Sequence, residues 1–133
     1  MRITRITIIK IRRPEKNNLN EELQFLGYSL GLFSERDKDK SCFRIFITLL
    51  KALKKGKRLT SDEIAELTNL SRGTVIHHLN KLMETGIVIN EKNYYIISVD
   101  NVKELVSQAK ENVIRMLDNI AEVADNIDKK MDL

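Results

Sequence analysis

The chain has 133 residues, of which 42% are hydrophobic and 32% are charged, a composition typical of one helix-rich globular domain with its own core. No apolar run approaches the roughly 20 residues of a membrane-spanning helix, and the N-terminus lacks the apolar segment of a signal peptide, so we expect a cytoplasmic protein. The single cysteine, Cys42, excludes an intramolecular disulfide and a cluster of thiolate metal ligands.

The net charge of +4 is unevenly distributed along the chain. Residues 1–58 carry 15 Lys/Arg against 6 Asp/Glu, whereas residues 59–99 carry 3 against 5 and residues 100–133 carry 5 against 8. A basic front half with an acidic tail is typical of nucleic-acid-binding proteins whose C-terminal part faces away from phosphate. Ordinary solvated faces would give the same counts.

The first 40 residues are predicted to form an arm and a helix. Residues 1–17 are a basic arm, and the isoleucines of its run 2–13, which Pro14 ends, favour a strand or an extended conformation. A helix is predicted over 18–34, followed by a charged connection to residue 40. Gly27 and Gly31, four residues apart, favour close packing of this helix against another. Its apolar stripe recurs at 4-3-4-3 spacing: Leu19, Leu23, Leu26, Leu30 and Phe33.

A second helix is predicted from Ser41, its capping residue, to just before Gly56. The five cations of "KALKKGKR" (51–58) complement the dipole at its C-terminal end, so they do not require a phosphate ligand. The buried stripe is expected to comprise Phe43, Phe46, Ile47, Leu50 and Leu53.

Residues 60–98 combine the signals of two helices and a hairpin. Thr60 and Glu63 form a capping box at the start of a short helix that ends near Thr68. Ser71 caps a second helix, which runs to Thr85 and stops at Gly86. Two short strands, 87–90 and 94–98, are joined by a polar turn.

The stretch "LTSDEIAELTNLSRGTVIHHLNKLMETGIV", with its spacing LSxxTVxxHLxxLxxxGIV, resembles the winged helix-turn-helix of ArsR-type and MarR-type transcription regulators. The resemblance implies a mainly α fold with a small β-hairpin (α+β), in which residues 41–99 form the DNA-binding domain. It also implies that helix 71–85 enters the major groove of DNA. The abundance of Ile, Lys and Glu gives the sequence an archaeal character.

The faces of helix 71–85 separate core residues from candidate DNA contacts. At about 100° per residue, Val75, Leu79 and Leu82 share one face and are predicted to anchor the helix in the core. The opposite face can bind phosphate through the amides of the first turn and can read base edges through Arg72. The candidate contacts on this helix are Ser71, Arg72, Gly73, Thr74, His77, His78 and Lys81, and the wing adds Lys92.

Residues 100–133 are predicted to form one long helix for dimerisation. It would measure roughly 40–45 Å, too long for the small domain before it to cover. A sustained apolar stripe of this kind usually packs against another helix, and the alternative is that it folds back on the helix at 18–34. The stripe comprises Val102, Val106, Ala109, Val113, Met116, Ile120, Val123 and Ile127.

Together these observations predict a homodimeric, sequence-specific transcription regulator that binds double-stranded DNA and has no membrane partner. We expect no enzyme, because no glycine-rich phosphate loop, nucleophile elbow or spaced Cys/His set is present. We expect no cofactor and no metal, because the adjacent His77 and His78 point about 100° apart on a helix. The alternative is a protein-interaction module in a transcription or replication complex. The operator, the sign of regulation and any small-molecule effector stay open.

Overall fold

A computed structural model gives the fold and describes residues 18–32 and 40–133. In these residues five helices and one hairpin follow in the order α1 (Leu19–Ser29), α2 (Ser41–Lys54), α3 (Ser61–Thr68), α4 (Arg72–Glu84), β1 (Val88–Glu91), β2 (Tyr94–Ile97) and α5 (Val102–Met131). The predicted mainly α fold with a small β-hairpin is therefore confirmed. The basic arm predicted at 1–17, and Phe33, lie outside the described residues.

The core lies where α2, α3 and α4 pack on one another, with the hairpin against α2 and α4. At its centre are large side chains with almost no exposure: Ile45, Phe46, Leu49, Ile64, Val75, Leu79, Leu82, Ile87, Val88 and Leu105. Half-buried residues of α1, among them Leu23 and Leu26, pack against this core. Since burial of apolar surface is the dominant favourable term in folding, this cluster is what holds α4 in place.

The first helix is shorter than predicted and ends at Ser29 rather than near residue 34. Gly31 has a φ of +72°, which glycine adopts without strain, and its N–H donates to the Tyr28 carbonyl (3.1 Å). Leu32 N–H donates to the Gly27 carbonyl (2.8 Å), which completes a Schellman motif. The prediction that Gly31 packs against another helix is therefore wrong, because this residue terminates α1; Gly27 is buried.

The capping residue of the second helix lies one position earlier than predicted. Its N-cap is Lys40, at φ +48°, and Ser41 is a buried residue inside the helix that does not cap it. Its fully buried face includes Ile45 and Leu49, whereas the predicted Ile47, Leu50 and Leu53 are half-buried. Residues 42–53 are so rich in apolar side chains that helical periodicity is consistent with burial of either of two neighbouring faces. Only the packing of α3 and α4 against α2 determines which face is fully buried.

The wing is an antiparallel pair of strands in which Val88 faces Ile97 and Glu91 faces Tyr94. A third extended segment joins it, because Tyr95 N–H donates to the Leu59 carbonyl (2.8 Å) and the two residues form an isolated bridge. The segment between α2 and α3 is thereby fixed to the hairpin.

The last helix leaves the domain soon after it begins. Asn101 caps it, accepting from Glu104 N–H (2.8 Å), and Leu105 is fully buried in the core. From residue 117 to residue 133 every residue is exposed, so this half of α5 does not fold back on α1. None of the described helices combines the length and apolar content that crossing a bilayer requires.

Candidate nucleic-acid interface

Helix α4 begins and ends at residues suited to those positions. Ser71 is its N-cap, and the Ser71 hydroxyl oxygen accepts from Thr74 N–H (3.2 Å), as the sequence predicts. At the other end Gly86, at φ +79°, donates to the Met83 carbonyl (3.0 Å). The length and direction of this helix are therefore set by its own sequence.

One face of α4 packs into the core. Val75 and Leu79 are 0% exposed and Leu82 is 1% exposed, in agreement with the angular prediction. Ile76 and Met83 are half-buried beside them. Since each of these anchors is enclosed, α4 is held rigidly and can present its other face in a fixed orientation.

The opposite face of α4 is open. Arg72, Gly73, His77 and Lys81 are all exposed, and a Cβ placed on Gly73 meets nothing within 4 Å. The structure thus brings these four predicted contacts to one surface at the N-terminal and middle parts of the helix. A ligand can approach the backbone most closely at Gly73.

Thr74 and His78 occupy the margins of this face rather than its centre. Both are half-buried, and the Thr74 hydroxyl oxygen accepts from the Ser71 hydroxyl (2.8 Å). The rings of His77 and His78 meet edge to face with their centroids 5.2 Å apart. Within this pair, His77 is the one that faces solvent.

Arg72 has a partner that the sequence did not indicate. Its Nε lies 3.5 Å from Asp62 Oδ1, in the first turn of α3, and both side chains are 73% exposed. Ten residues separate the two along the chain, so only the crossing of α3 and α4 brings them together. No spacing rule within one helix could have found this pair.

The short helix α3 is fixed at both of its ends. The predicted capping box is present, since Thr60 N–H donates to Glu63 Oε1 (3.1 Å) and Glu63 N–H donates to the Thr60 hydroxyl oxygen (3.2 Å). Asn69 closes α3 in the left-handed region, at φ +56°. Arg44 of α2 donates to the Thr68 carbonyl, so α2 braces the end of α3.

The tip of the wing is a tight turn with backbone strain at a lysine. Lys92 and Asn93 have φ of +53° and +69°, and Asn93 N–H donates to Asn90 Oδ1 (3.1 Å). A lysine lacks the local hydrogen bonding that lets asparagine adopt the left-handed conformation. For lysine this backbone conformation costs roughly 1–2 kcal/mol. The wing therefore carries an exposed cation at a position where glycine or asparagine would fit better.

Cations flank the wing and the end of α2. Arg58 Nη2 lies 3.7 Å from Glu91 Oε2, so the acidic residue of the wing is paired. Lys51, Lys55, Lys57 and Arg58 line an open groove of about 580 Å³ between α2 and α3, together with Glu63 and Glu66 of α3. The sequence identified this basic cluster but not the contact between Arg58 and the wing.

The predicted dimerisation residues lie along α5 as the periodicity indicates. Val102, Ala109, Val113 and Met116 are half-buried, while Val106, Ile120, Val123 and Ile127 are exposed. The sequence did not single out Leu105, although Leu105 is the residue of α5 that enters the core. Ile114 and Leu117 add further exposed apolar surface to the helix.

The described residues contain no cluster of three His, Cys, Asp or Glu side chains that could hold a metal ion. Cys42 is the single cysteine of the chain and is buried in the core with Phe43 and Ile45.

The domain is similar to known regulators over part of its length. Residues 47–90 match the family model described as bacterial regulatory protein, arsR family. An uncharacterized protein of the archaeon Methanocaldococcus jannaschii is 41% identical over 61 residues, which are 43% of this chain and 11% of the relative. The chain thus spans about a tenth of the length of this curated relative. No solved structure matches the chain significantly.

Proposed function

We propose that the protein is a homodimeric transcription regulator that binds double-stranded DNA at specific sequences, because residues 47–90 match the arsR family model and lie in a helix-turn-helix followed by a hairpin. In this proposal α4 lies in the major groove and the wing lies beside it. The observation that carries the proposal is the division of α4 into an enclosed face, with Val75 and Leu79 at 0% exposure, and an open face of cationic and hydrogen-bonding side chains.

The open face assigns a different role to each part of α4. The first-turn amides and the Ser71 hydroxyl hold a phosphate, since helix N-termini favour anions. Arg72 reads a guanine edge, and His77 reads a base at the middle of the face. Gly73 admits the DNA backbone closely, and Lys81 contacts phosphate farther along the helix.

The strained turn of the wing supports a role for Lys92. Backbone strain of this kind clusters at functional sites, and a cation at the tip can contact phosphate or the minor groove. The exposed cations of 51–58 add to the positive field of this half of the domain. Homodimer formation is supported by the exposed apolar side chains along α5, which need a partner helix.

A DNA-binding measurement tests the proposal. Binding to the DNA upstream of the protein's own gene, and to sequences selected from a random pool, should be lost or weakened at least tenfold in the double variant Arg72→Ala with Lys81→Ala. The matched control is Arg115→Ala, which removes an exposed cation from α5 instead and should leave the affinity unchanged. Equal affinity of the double variant and the control would contradict the assignment of α4. Binding to protein partners without any DNA binding would favour an interaction module.

A further inference from the structure

The apolar stripe of α5 has the pattern of a coiled-coil seam. Its residues alternate in steps of four and three along the helix, so they occupy the a and d positions of successive heptads. The a positions are Val106, Val113, Ile120 and Ile127, and the d positions are Val102, Ala109, Met116 and Val123. Ile120 is 58% exposed and Val123 is 57% exposed, so the part of the seam beyond residue 117 is uncovered within the described part of the chain.

The two flanks of the seam differ in polarity. The g positions on one side carry the buried Leu105 and then Asn112, Asn119 and Asn126, seven residues apart. The e positions on the other side carry Lys103 and Lys110 and then Leu117, Ala124 and Met131, and Leu117 and Met131 are 48% and 65% exposed. Beyond residue 111, one margin of the seam is therefore a row of amides and the other is apolar.

From these flanks we propose that α5 pairs with α5 of a second copy in the antiparallel orientation. The inference rests on the proposed homodimer and specifies its geometry. In a parallel pair each g position lies beside an e position of the other helix, which would place Asn112 against Leu117 and Asn119 against Ala124. An amide that loses water without gaining a hydrogen-bond partner is destabilising, so this orientation is penalised at each heptad whose g position is an asparagine.

The antiparallel orientation places each flank against the same flank of the second copy. The helix direction of the second copy is reversed, so g positions face g positions and e positions face e positions. Asparagine amides can then meet asparagine amides, which can donate and accept at once. On the e flank, apolar residues meet lysines, whose alkyl chains can cover them while the ammonium groups stay in water. The asparagines are therefore the residues that favour this orientation.

One register uses every residue of the seam. If Val113 packs against Met116 of the second copy, then Ala109 meets Ile120, Val106 meets Val123, and Val102 meets Ile127. Asn112 then lies beside Asn119 of the second copy, and on the other flank Leu117 lies beside Lys110 and Ala124 beside Lys103. No a or d residue within this span is left without a partner, and the two ends of the pair are equivalent, as the twofold symmetry of a homodimer requires.

The register also sets the separation of the two DNA-binding domains. The two Val102 residues lie about 25 residues apart along the common axis, or about 38 Å at 1.5 Å per residue. Half-sites on successive turns of B-DNA are about 34–36 Å apart. The antiparallel pair therefore separates the two DNA-binding domains by about one helical turn of DNA. In a parallel pair both helices would begin at the same point along the common axis, so the pair would not separate the domains in this way.

Disulfide cross-linking tests the orientation. Val106→Cys and Val123→Cys variants are oxidised separately and as a mixture, and the unmodified protein, whose Cys42 is buried, is the background control. Antiparallel pairing gives a cross-linked dimer in the mixture and little in either variant alone, because each of these positions lies about 26 Å from its own copy. Cross-linking of each variant alone shows a parallel pair and overturns the inference. A mixture that does not cross-link overturns it as well.

Charges placed on the g flank give a second test that does not depend on oxidation. The variant Asn112→Glu with Asn119→Lys puts opposite charges side by side twice in the antiparallel register. Asn112→Glu with Asn119→Glu puts like charges there instead. The dimer dissociation constant should be about tenfold lower for the first variant than for the second, and 1 M salt should remove the difference. Equal dissociation constants at low salt contradict the register.

DNA binding is measured on the same variants, so that the two proposals fail separately. Retained DNA binding with cross-linking of each variant alone removes the antiparallel pair and leaves the proposed function in place. Cross-linking in the mixture without DNA binding removes the proposed function and leaves the pair in place.

Discussion

Arg72 at the start of α4 is ion-paired to Asp62 in the first turn of α3, with 3.5 Å between Arg72 Nε and Asp62 Oδ1. The pair joins the two helices of the helix-turn-helix at the surface that α4 presents. Because both side chains are 73% exposed, salt and water screen the interaction, and it contributes little to folding stability. Its main effect is to hold the guanidinium of Arg72 and to place a negative charge beside it.

Replacement of Asp62 by Asn should strengthen DNA binding about three- to tenfold. The substitution removes a carboxylate that repels phosphate and releases Arg72 for DNA. Fluorescence anisotropy with a selected operator measures the affinity. In an Arg72→Ala background the same substitution should give a smaller gain, because no guanidinium is left to release. Weaker binding of Asp62→Asn would show instead that Asp62 orients Arg72 productively.

Replacement of Gly73 by Ala should separate folding from DNA binding. Nothing lies within 4 Å of the added Cβ, so the change should raise the free energy of unfolding by up to about 1 kcal/mol through helix propensity. DNA affinity should fall, because the methyl group stands where the DNA backbone approaches. Thermal unfolding and DNA titration of the same sample check both. Unchanged affinity would mean that Gly73 does not face DNA.

Replacement of Lys92 by Gly should stabilise the wing while weakening DNA binding severalfold. Glycine relieves the positive φ of +53°, for a gain of about 1 kcal/mol in unfolding free energy, but the cation at the tip is lost. Asn93→Gly is the matched control, since it acts on the neighbouring residue of the same turn and keeps Lys92. If both variants bind DNA equally well, Lys92 has no part in binding.

Truncation of Leu105 and truncation of Ile120, both on α5, should destabilise the protein with a different dependence on protein concentration. Leu105→Ala leaves a cavity in the core and should cost about 2–5 kcal/mol at any concentration. Ile120→Ala removes a side chain that is exposed in the single chain, so it should mainly raise the dimer dissociation constant. Denaturation at several concentrations, together with sedimentation, distinguishes the two. A concentration-independent loss for Ile120→Ala would argue against a seam at this position.

DNA binding should weaken steeply with salt. If each protomer neutralises three or four phosphates, the logarithm of the association constant should fall against the logarithm of salt concentration with a slope of about −5 to −7. Titrations between 50 and 200 mM salt give the slope. Removal of Lys81 should reduce its magnitude by about two in a dimer, since one contact is lost from each half. A flat response would exclude phosphate contact by the domain.

The local features of this fold could be read from the sequence because they depend on neighbouring residues. Ser71 and the pair Thr60 and Glu63 were identified as caps from spacing alone, and the structure confirms them. The face of α4 that carries Val75 and Leu79 followed from helical periodicity. Such signals span fewer than ten residues and need no knowledge of how helices cross.

Features that depend on packing between distant segments were missed or wrong. Ser41 was expected to cap α2 but is buried inside the helix, because the chain enters through a left-handed Lys40 that no capping rule anticipates. The contact of Arg72 with Asp62 and the bridge between Leu59 and Tyr95 both require the tertiary arrangement. A single bridging residue has no periodicity, so no pattern in the sequence could reveal it.

The hydrogen bond from Arg44 to the Thr68 carbonyl bears on where the folding unit begins. The similarity to ArsR-family proteins starts at residue 47, yet Arg44 and the fully buried Ile45 and Phe46 precede it. A fragment trimmed to 47–90 would lose the hydrogen bond from Arg44 to the end of α3 and part of the core against which α4 packs. The smallest piece of this chain that can present α4 correctly is therefore larger than the segment that matches the family model.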